Sequence, residues 1–205
     1  MHIALFGGSF NPPGLHHLGI AMALATRFDQ VLVIPCGPRP DKPVTNAVAA
    51  SHRAAMVELA FAGHPKIELD LFDLYGARFS RTWQLQERYE HRGDLWHVIG
   101  ADLVAGGKRG ASPIQREWER GQAVWSELRF VVLARPGVVL DAGDLPPRHQ
   151  LIELALQGAS SGIRTLASRG ASLQGLVAEP VAAYIERHGL YREPSLTTQG
   201  CKRNV

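Results

Sequence analysis

Short apolar runs, most of them bounded by glycine or proline, recur along the chain and predict strands. Mostly apolar runs, which are typical of buried strands, occupy residues 3–6, 31–35, 95–99 and 128–134, and the last is the strongest of them. Residues 67–71 alternate between apolar and polar positions, as a half-buried strand does. The pattern therefore predicts a sheet of short, mostly buried strands.

Apolar residues spaced three and four apart predict helices between these runs. The helical segments are residues 17–28, 51–61, 82–91 and 160–168, followed by a last helix with Pro180 at its first position and Gly189 just beyond its end. Residues 151–156 fit either a strand or a helix.

The alternation of strands and helices predicts an α/β fold, a Rossmann-like doubly wound parallel sheet with helices on both faces and a small C-terminal helical part. The length of 205 residues suits one domain over residues 1–191, with a flexible polar tail at 192–205. The glycine-rich stretch 105–113 predicts a mobile surface loop. Sheets of this kind bind ligands at the carboxyl ends of their strands, near the point where the strand order reverses.

The composition is that of an ordinary globular protein, with 45% apolar and 20% charged residues. No apolar run approaches the roughly 20 residues that span a bilayer, and the short apolar start lacks the basic lead-in of a signal peptide, so a cytoplasmic protein without membrane contact is expected. The net charge is +3, and the basic residues are scattered, which disfavours a nucleic-acid partner. Cys36 and Cys201 indicate neither a disulfide framework nor a metal site, and Cys36 is expected as a reduced thiol at a strand end.

The first segment that points to chemistry runs from residue 7 to residue 17, with the sequence GGSFNPPGLHH, between the first strand and the first helix. Glycines let the backbone approach a phosphate, a helix N-terminus offers free N–H donors, and a histidine there can donate to phosphoryl oxygens. The segment is neither a GxGxxG fingerprint nor a GxxxxGK(S/T) P-loop. A plain strand–turn–helix with exposed His16 and His17 is the alternative.

The second segment is residues 159–164, with the sequence ASSGIR. Two hydroxyls at a helix start, with Arg164 one turn on, can cap the helix and bind phosphate, and the guanidinium can contact a pyrophosphate through two hydrogen bonds. A simple helix cap with a surface arginine is the alternative.

Together these segments resemble the HxGH nucleotidyltransferase superfamily and, within it, the bacterial nicotinate-mononucleotide adenylyltransferase family. That family opens with Gly-Gly-(Ser/Thr)-Phe-(Asp/Asn)-Pro-x-His-x-Gly-His, which residues 7–12 match. Its C-terminal SSTxxR-like motif is matched by Ser160, Ser161 and Arg164, with Ser161 where threonine is usual. Further similarities follow in family order along nearly the whole chain: a proline-rich segment carrying Lys42, an hR..M helix at 52–56, the SxT element Ser80-x-Thr82, a GxD strand end at 100–102, an RPG strand end at 135–137 and a terminal helix at 176–191.

The resemblance implies transfer of AMP from ATP to the phosphate of a pyridine mononucleotide, with release of pyrophosphate and usually with Mg²⁺. The acceptor phosphate attacks the α-phosphorus directly, so the protein acts mainly by positioning and by stabilising charge. By the same resemblance, His17 contacts the ATP phosphates, Arg164 and Ser161 hold the outgoing pyrophosphate, and Ser160 and Lys42 belong to the phosphate-binding groups.

The remaining roles concern the nucleotide and the acceptor. By resemblance they are held by Gly8, Ser9 and Phe10 around the α-phosphate, by Gly100 and Asp102 at the adenosine ribose, and by Trp118 stacked on the pyridine ring with Thr82 nearby. A packing role for Trp118 and a helix N-cap role for Asp102 are the competing interpretations.

The chain departs from the family pattern in its first motif, where it reads GLHH instead of HxGH. Gly14 stands at the first histidine and His16 at the glycine. Either His16 replaces the lost imidazole through a shifted loop, or the site is weakened, repurposed or inactive. In addition, Leu85 replaces the second threonine of the SxT element, and an insertion at 106–116 precedes Trp118.

Three hypotheses follow from the sequence. The leading one is adenylyl transfer to nicotinate or nicotinamide mononucleotide. The second is nucleotidyl transfer to a different phosphate acceptor, and the third is a non-catalytic nucleotide or dinucleotide binder.

Overall fold

The computed structural model describes residues 1–39, 48–134, 140–155 and 158–192 of the 205-residue chain. Lys42, the RPG element at 135–137 and the tail from residue 193 onward lie outside the described residues. The strands are β1 (His2–Gly8), β2 (Gln30–Pro35), β3 (Ile67–Leu69), β4 (Asp94–Gly100), β5 (Phe130–Ala134) and β6 (His149–Glu153). Each predicted strand is therefore present, and the ambiguous stretch at 151–156 begins as a strand.

The strands form one parallel sheet in the order β3-β2-β1-β4-β5-β6. From β1 the chain moves outward to β2 and β3, and then crosses back to place β4 on the other side of β1, where Leu5 pairs with His97. The strand order therefore reverses between β1 and β4, and the loops that follow these two strands diverge and leave a crevice at their carboxyl ends.

Helices cover both faces of the sheet, as predicted. Their bounds are α1 (Leu15–Ala25), α2 (Ala50–Phe61), α3 (Phe72–Tyr75), α4 (Thr82–Tyr89), α5 (Pro113–Glu117), α6 (Gly121–Glu127), α7 (Ser160–Ser168) and α8 (Glu179–Arg187). The alternating pleat of β5 shows the two layers, because Val131 packs with the core under α1, α2, α7 and α8, whereas Phe130 and Val132 pack with the core under α5 and α6. Within the described residues, no helix has the length and apolar character needed to cross a membrane.

The stretch 105–113, predicted as a mobile surface loop, lies largely at the surface, but it is not an irregular loop. A 3-10 turn (Gly107–Arg109) forms there, and the Asp144 carboxylate accepts hydrogen bonds from the backbone N–H groups of Gly106 and Lys108 at 2.9 and 3.1 Å. Gly107 is buried against the indole of Trp125. The glycines that suggested disorder therefore allow a tight turn packed against the domain.

Smaller differences concern element ends. The first helix begins at Leu15, two residues before its predicted start, because Gly14 occupies the N-cap position. The third strand ends at Leu69 and not at residue 71. Pro180 is the second residue of α8, and Gly189 follows that helix with a φ of +57°, which glycine adopts without strain.

Candidate active site

A cavity of about 510 Å³ opens at the carboxyl ends of the central strands, where the strand order reverses. The last residues of β1, β4 and β5 form its floor. Its polar lining joins the first motif to the second, and the predicted site residues on its wall are Ser9, Phe10, His16, His17, Gly100, Ser160 and Arg164. Two segments that are about 150 residues apart in sequence therefore meet in one cavity of a size usual for a small ligand.

Arg53 fixes the start of the loop that follows β1. Its side chain is 2% exposed, and it donates from Nε to the Ser9 carbonyl oxygen at 3.2 Å and from Nη2 to the Cys36 carbonyl oxygen at 2.7 Å. Burial lowers the pKa of this guanidinium from its ordinary value. The loops after β1 and β2 are thus joined through one buried cation. Cys36 itself is a buried free thiol directly after β2, as predicted.

The next residues of the same loop are held by the C-terminal part of the chain. The Ser160 hydroxyl donates to the Pro12 carbonyl oxygen at 2.9 Å, and the Arg164 Nη1 donates to the Asn11 carbonyl oxygen at 2.8 Å. The Tyr191 hydroxyl donates to Asn11 Oδ1 at 2.6 Å, and Asn11 is 1% exposed. The first motif is therefore positioned by donors from α7 and from Tyr191, four residues beyond the end of α8.

These contacts correct one prediction. The hydroxyls at the start of α7 do not cap the helix, because Ala159 is the N-cap and Ser160 is turned toward Pro12. Ser161 lies exposed in the first turn of α7, outside the cavity lining, whereas Arg164 reaches the cavity. The arginine is thus anchored through one N–H group and faces the cavity with the rest of its guanidinium.

His17 is held in one tautomer by the loop before it. Its Nδ1 accepts a hydrogen bond from the backbone N–H of Gly14 at 3.0 Å. A nitrogen that accepts carries no proton, so the neutral ring carries its hydrogen on Nε2. Burial, and secondly the neighbouring charge of His16, lower the pKa of His17 to about 3. The ring packs against the buried Phe10 ring, with 5.0 Å between centroids, and is a neutral hydrogen-bond donor at physiological pH.

His16 also lines the cavity, so its side chain is turned inward. Its ring lies on the His17 ring, with 3.9 Å between centroids and 40° between the planes. The interpretation of both histidines as exposed residues of a plain turn is therefore wrong. The cavity wall therefore carries two adjacent imidazoles, although Gly14 stands where the family motif has its first histidine.

A second cavity of about 530 Å³ adjoins the first. Gly7, Val98, Ile99 and Gly100 line both, so the two cavities meet over the ends of β1 and β4. The predicted residues in the second cavity are Gly8, Thr82, Asp102 and Trp118, and Leu85 lies on the same wall.

Two of these residues had competing interpretations. Trp118 is half-buried and packs on the core under α5 and α6, as the packing interpretation expects. It also lines the second cavity, so a stacking role for its ring stays a prediction. Asp102 lies inside the 3-10 turn Ala101–Leu103, whose N-cap is Gly100, so the N-cap interpretation of Asp102 is wrong. Gly100 contributes to both cavities, whereas the Asp102 side chain belongs to the second.

The second cavity also contains residues that sequence reasoning missed. Arg39 and Arg81 both place their guanidinium carbons about 5 Å from the centroid of the Phe79 ring, at 5.0 and 5.1 Å. His97 is buried beneath the cavity, its Nε2 lies 3.0 Å from Gln86 Oε1, and burial lowers its pKa to about 4. A polar residue inside an apolar run, as His97 is within 95–99, was the available signal for this position.

No carboxylate lines the first cavity among the residues that the structure describes. Over the same residues, no group of three or more His, Cys, Asp or Glu side chains is placed to hold a metal ion. A divalent cation at this site would therefore rely on oxygens brought by the ligand and by water.

Comparisons with known proteins agree with this geometry. A family model described as cytidylyltransferase-like matches residues 5–170. A Roseiflexus protein named "Probable nicotinate-nucleotide adenylyltransferase" is 32% identical over 93% of this chain and 98% of its own length. A Bordetella petrii protein with the same name is 34% identical over 93% of this chain and 98% of its own length.

The fold has a close counterpart among solved structures. Plasmodium falciparum nicotinic acid mononucleotide adenylyltransferase, in a structure described as complexed with NaAD, superposes with a TM-score of 0.75. The alignment covers 93% of this chain and 97% of that one at 21% identity, which shows a shared fold.

Proposed function

The chain belongs to the cytidylyltransferase-like family, and we propose that it transfers the adenylyl group of ATP to nicotinate mononucleotide and releases pyrophosphate, a step of NAD biosynthesis. The names of the curated relatives supply the acceptor, and their alignments span nearly the whole chain. The nearest alternative acceptor is nicotinamide mononucleotide, which differs by a carboxamide in place of a carboxylate.

The observation that carries the proposal is the pair of cavities that meet over Gly7 and Gly100. A transfer between two nucleotides needs two adjoining sites whose phosphates approach each other. With ATP in the first cavity and the mononucleotide in the second, an acceptor phosphate oxygen forms a bond to the α-phosphorus. The bond from that phosphorus to the bridging oxygen of the β-phosphate breaks, and pyrophosphate leaves with the electron pair.

The first cavity suits the leaving group. The neutral His17 ring donates from Nε2, and Arg164 adds a positive charge anchored on the first motif. Donors of this kind stabilise charge that develops on phosphate oxygens, and removing one such donor costs about 10²–10³ in turnover. His16 provides the second imidazole of the wall. Because a phosphate monoester is already ionised near neutral pH, no side chain has to take a proton from the attacking phosphate.

The other predicted phosphate and nucleotide contacts follow from position. Ser9 and Phe10 lie on the first cavity, Gly8 on the second, and Gly100 on both, so their backbone surrounds the region where the cavities meet. In this proposal Ser160 borders the pyrophosphate at the start of α7. Ser161, which is exposed outside the cavity lining, is assigned no contact with it. Lys42, which lies outside the described residues, keeps the phosphate-binding role that the resemblance implies.

In the second cavity, we assign the pyridine ring to the side chain of Trp118, with Thr82 beside it. Asp102 is exposed and lines the second cavity, two residues after Gly100, which lines both cavities. We propose its carboxylate as the acceptor for a hydroxyl of the adenosine ribose. Leu85 makes this wall less polar than the family pattern does.

Mg²⁺ is proposed as the companion of ATP. The lining of the first cavity fits an ion carried by the triphosphate rather than one held in a protein cage. When bound, the ion neutralises charge on the phosphates. The substrates are small molecules of the cytoplasm, which is the compartment that the sequence predicts.

The proposal is tested by pyrophosphate release from Mg-ATP with nicotinate mononucleotide and nicotinamide mononucleotide as separate acceptors. Release with nicotinate mononucleotide, at a higher kcat/KM than with the amide, is expected. Release with the amide alone would replace the acceptor. No release with either from folded protein that binds Mg-ATP would contradict the proposal and favour another acceptor or a non-catalytic binder.

A further inference from the structure

The backbone of Gly14 does not itself require glycine. Its φ of −98° and ψ of 169° are extended values that any residue adopts. What excludes a side chain is the space around it, because an ideal Cβ on Gly14 would lie 2.6 Å from both Cε1 and Nδ1 of His16. It would also lie 2.9 Å from the terminal Cδ1 of Ile163, an atom at the end of a flexible side chain that can move aside. The His16 ring therefore occupies the place into which a side chain on residue 14 would extend.

The loop before α7 has a matching gap on the other side of the same ring. An ideal Cβ on Gly158 would lie 2.5 Å from His16 Nδ1 and 2.9 Å from His16 Cγ. Gly158 also has a φ of +151°, which side chains rarely adopt. The imidazole of His16 is thus held between two glycine α-carbons that come from the first motif and from the loop that precedes Arg164.

The position of this ring is next to the phosphate-binding groups. It lies on the His17 ring, and both rings line the first cavity with Arg164. The backbone N–H of Gly14 still supports His17 through Nδ1, so the exchange at residue 14 leaves the second histidine in place.

We propose that Gly14, His16 and Gly158 act as one unit. His16 presents to the ATP phosphates the imidazole that the HxGH pattern carries on residue 14. Only one of the positions 14 and 16 can hold a histidine, because both side chains would fill the same space. This inference rests on the proposed function for the identity of the ligand. It explains the GLHH sequence as a reciprocal exchange of glycine and histidine and not as the loss of a phosphate-binding group.

The test is a cycle of three variants, His16→Gly, Gly14→His and the double variant, with His64→Gly as a matched control on a histidine far from the cavities. We expect His16→Gly to fold and to lose about 10²–10³ in kcat. The double variant is expected to regain kcat to within about tenfold of the wild type, because it restores the motif order with one imidazole in the same space. The His64→Gly control is expected to keep wild-type kcat.

Stability gives a readout that does not depend on turnover. Gly14→His alone forces a second ring against His16, and overpacking of this kind is expected to lower Tm by about 2–12 °C. In the double variant that loss is expected to disappear, because His16 is gone. A Gly14→His protein with wild-type Tm would contradict the proposed exclusion, and a protein that fails to fold unless His16→Gly is added would support it.

Two further outcomes would overturn the inference. One is a folded His16→Gly protein with wild-type kcat and wild-type affinity for Mg-ATP. The other is a double variant no more active than His16→Gly. If the wild type releases no pyrophosphate with either pyridine mononucleotide, the proposed function fails separately, and the cycle is then measured by Mg-ATP affinity and Tm. Equal Mg-ATP affinity of wild type and His16→Gly would in that case refute the role of His16.

Discussion

Replacing Arg53 with methionine is the change that tests most sharply how the fold supports the site. The Arg53 guanidinium is buried and donates to the carbonyl oxygens of Ser9 and Cys36, at the carboxyl ends of β1 and β2. Methionine keeps a long unbranched stem in the same space but removes every donor. Arg53→Met therefore separates the hydrogen bonds from the packing of the side chain.

The magnitude follows from the two acceptors. Each buried carbonyl left without its donor costs about 1–3 kcal/mol. Part of this cost is offset because the variant no longer buries a cation, whose pKa is lowered by desolvation in the wild type. We expect a net loss of about 2–4 kcal/mol in the free energy of unfolding, which for a chain of this length corresponds to a fall in Tm of about 4–16 °C. Because the Ser9 loop would also move, kcat is expected to fall about 10–100-fold.

The assay combines thermal unfolding with pyrophosphate release. Arg53→Lys keeps the charge but cannot reach both carbonyls with the same planar geometry, so its Tm is expected between those of the wild type and Arg53→Met. Arg27→Met, on an exposed arginine, is the matched control and is expected to change little. An Arg53→Met protein with the Tm and kcat of the wild type would refute the account of this residue as the link between the two loops.

Three more predictions follow. His17→Ala is expected to lower kcat about 10²–10³-fold while the protein stays folded, and unchanged turnover in the folded variant would remove His17 from the mechanism. Tyr191→Phe, which removes the donor to Asn11, is expected to lower kcat several-fold. The control is Tyr184→Phe on α8, whose hydroxyl lies 2.9 Å from His52 Nδ1, and it is expected to leave kcat unchanged. Equal effects of the two variants on kcat would argue that Tyr191 has a purely structural role. Because burial holds the pKa of His17 near 3 and that of His97 near 4, both below the ordinary 6.5, the unfolded chain binds more protons than the folded one between these values. The free energy of unfolding is therefore expected to fall as the pH falls from about 6.5 to about 4, less steeply in His97→Met, and a flat profile in urea titrations would contradict the buried neutral rings.

Hydrophobic periodicity predicted most of the fold, because whether a residue of a strand or helix is buried shows in the spacing of apolar residues within that segment. The run at 128–134 contains the buried strand β5, and the helix predicted at 160–168 has those bounds in the structure. The errors were also local in origin. Glycine content alone predicted a loop without regular structure at 105–113, but the segment contains a 3-10 turn, and the carboxylate that organises it belongs to Asp144, more than thirty residues away.

Most of the candidate residues named from the sequence line one of the two cavities, but their contacts with one another were not predicted. Motif spacing identified His17 and Arg164, yet it could not show that Ser160 bonds to Pro12 instead of capping its helix. It also left the direction of His16 open, because the space for that ring is formed by Gly158, which lies about 140 residues away in sequence. Contacts between distant segments decide such details, and a single sequence does not record them.

The central claim is that the α-phosphorus of ATP moves to the acceptor. It is tested most directly by incubating the folded protein with nicotinate mononucleotide and Mg-ATP labelled at the α-phosphorus, and by following the label. The account predicts that the label appears in the dinucleotide and that one pyrophosphate forms for each dinucleotide. Label that remains in ATP, or that appears in free AMP without dinucleotide, would contradict it.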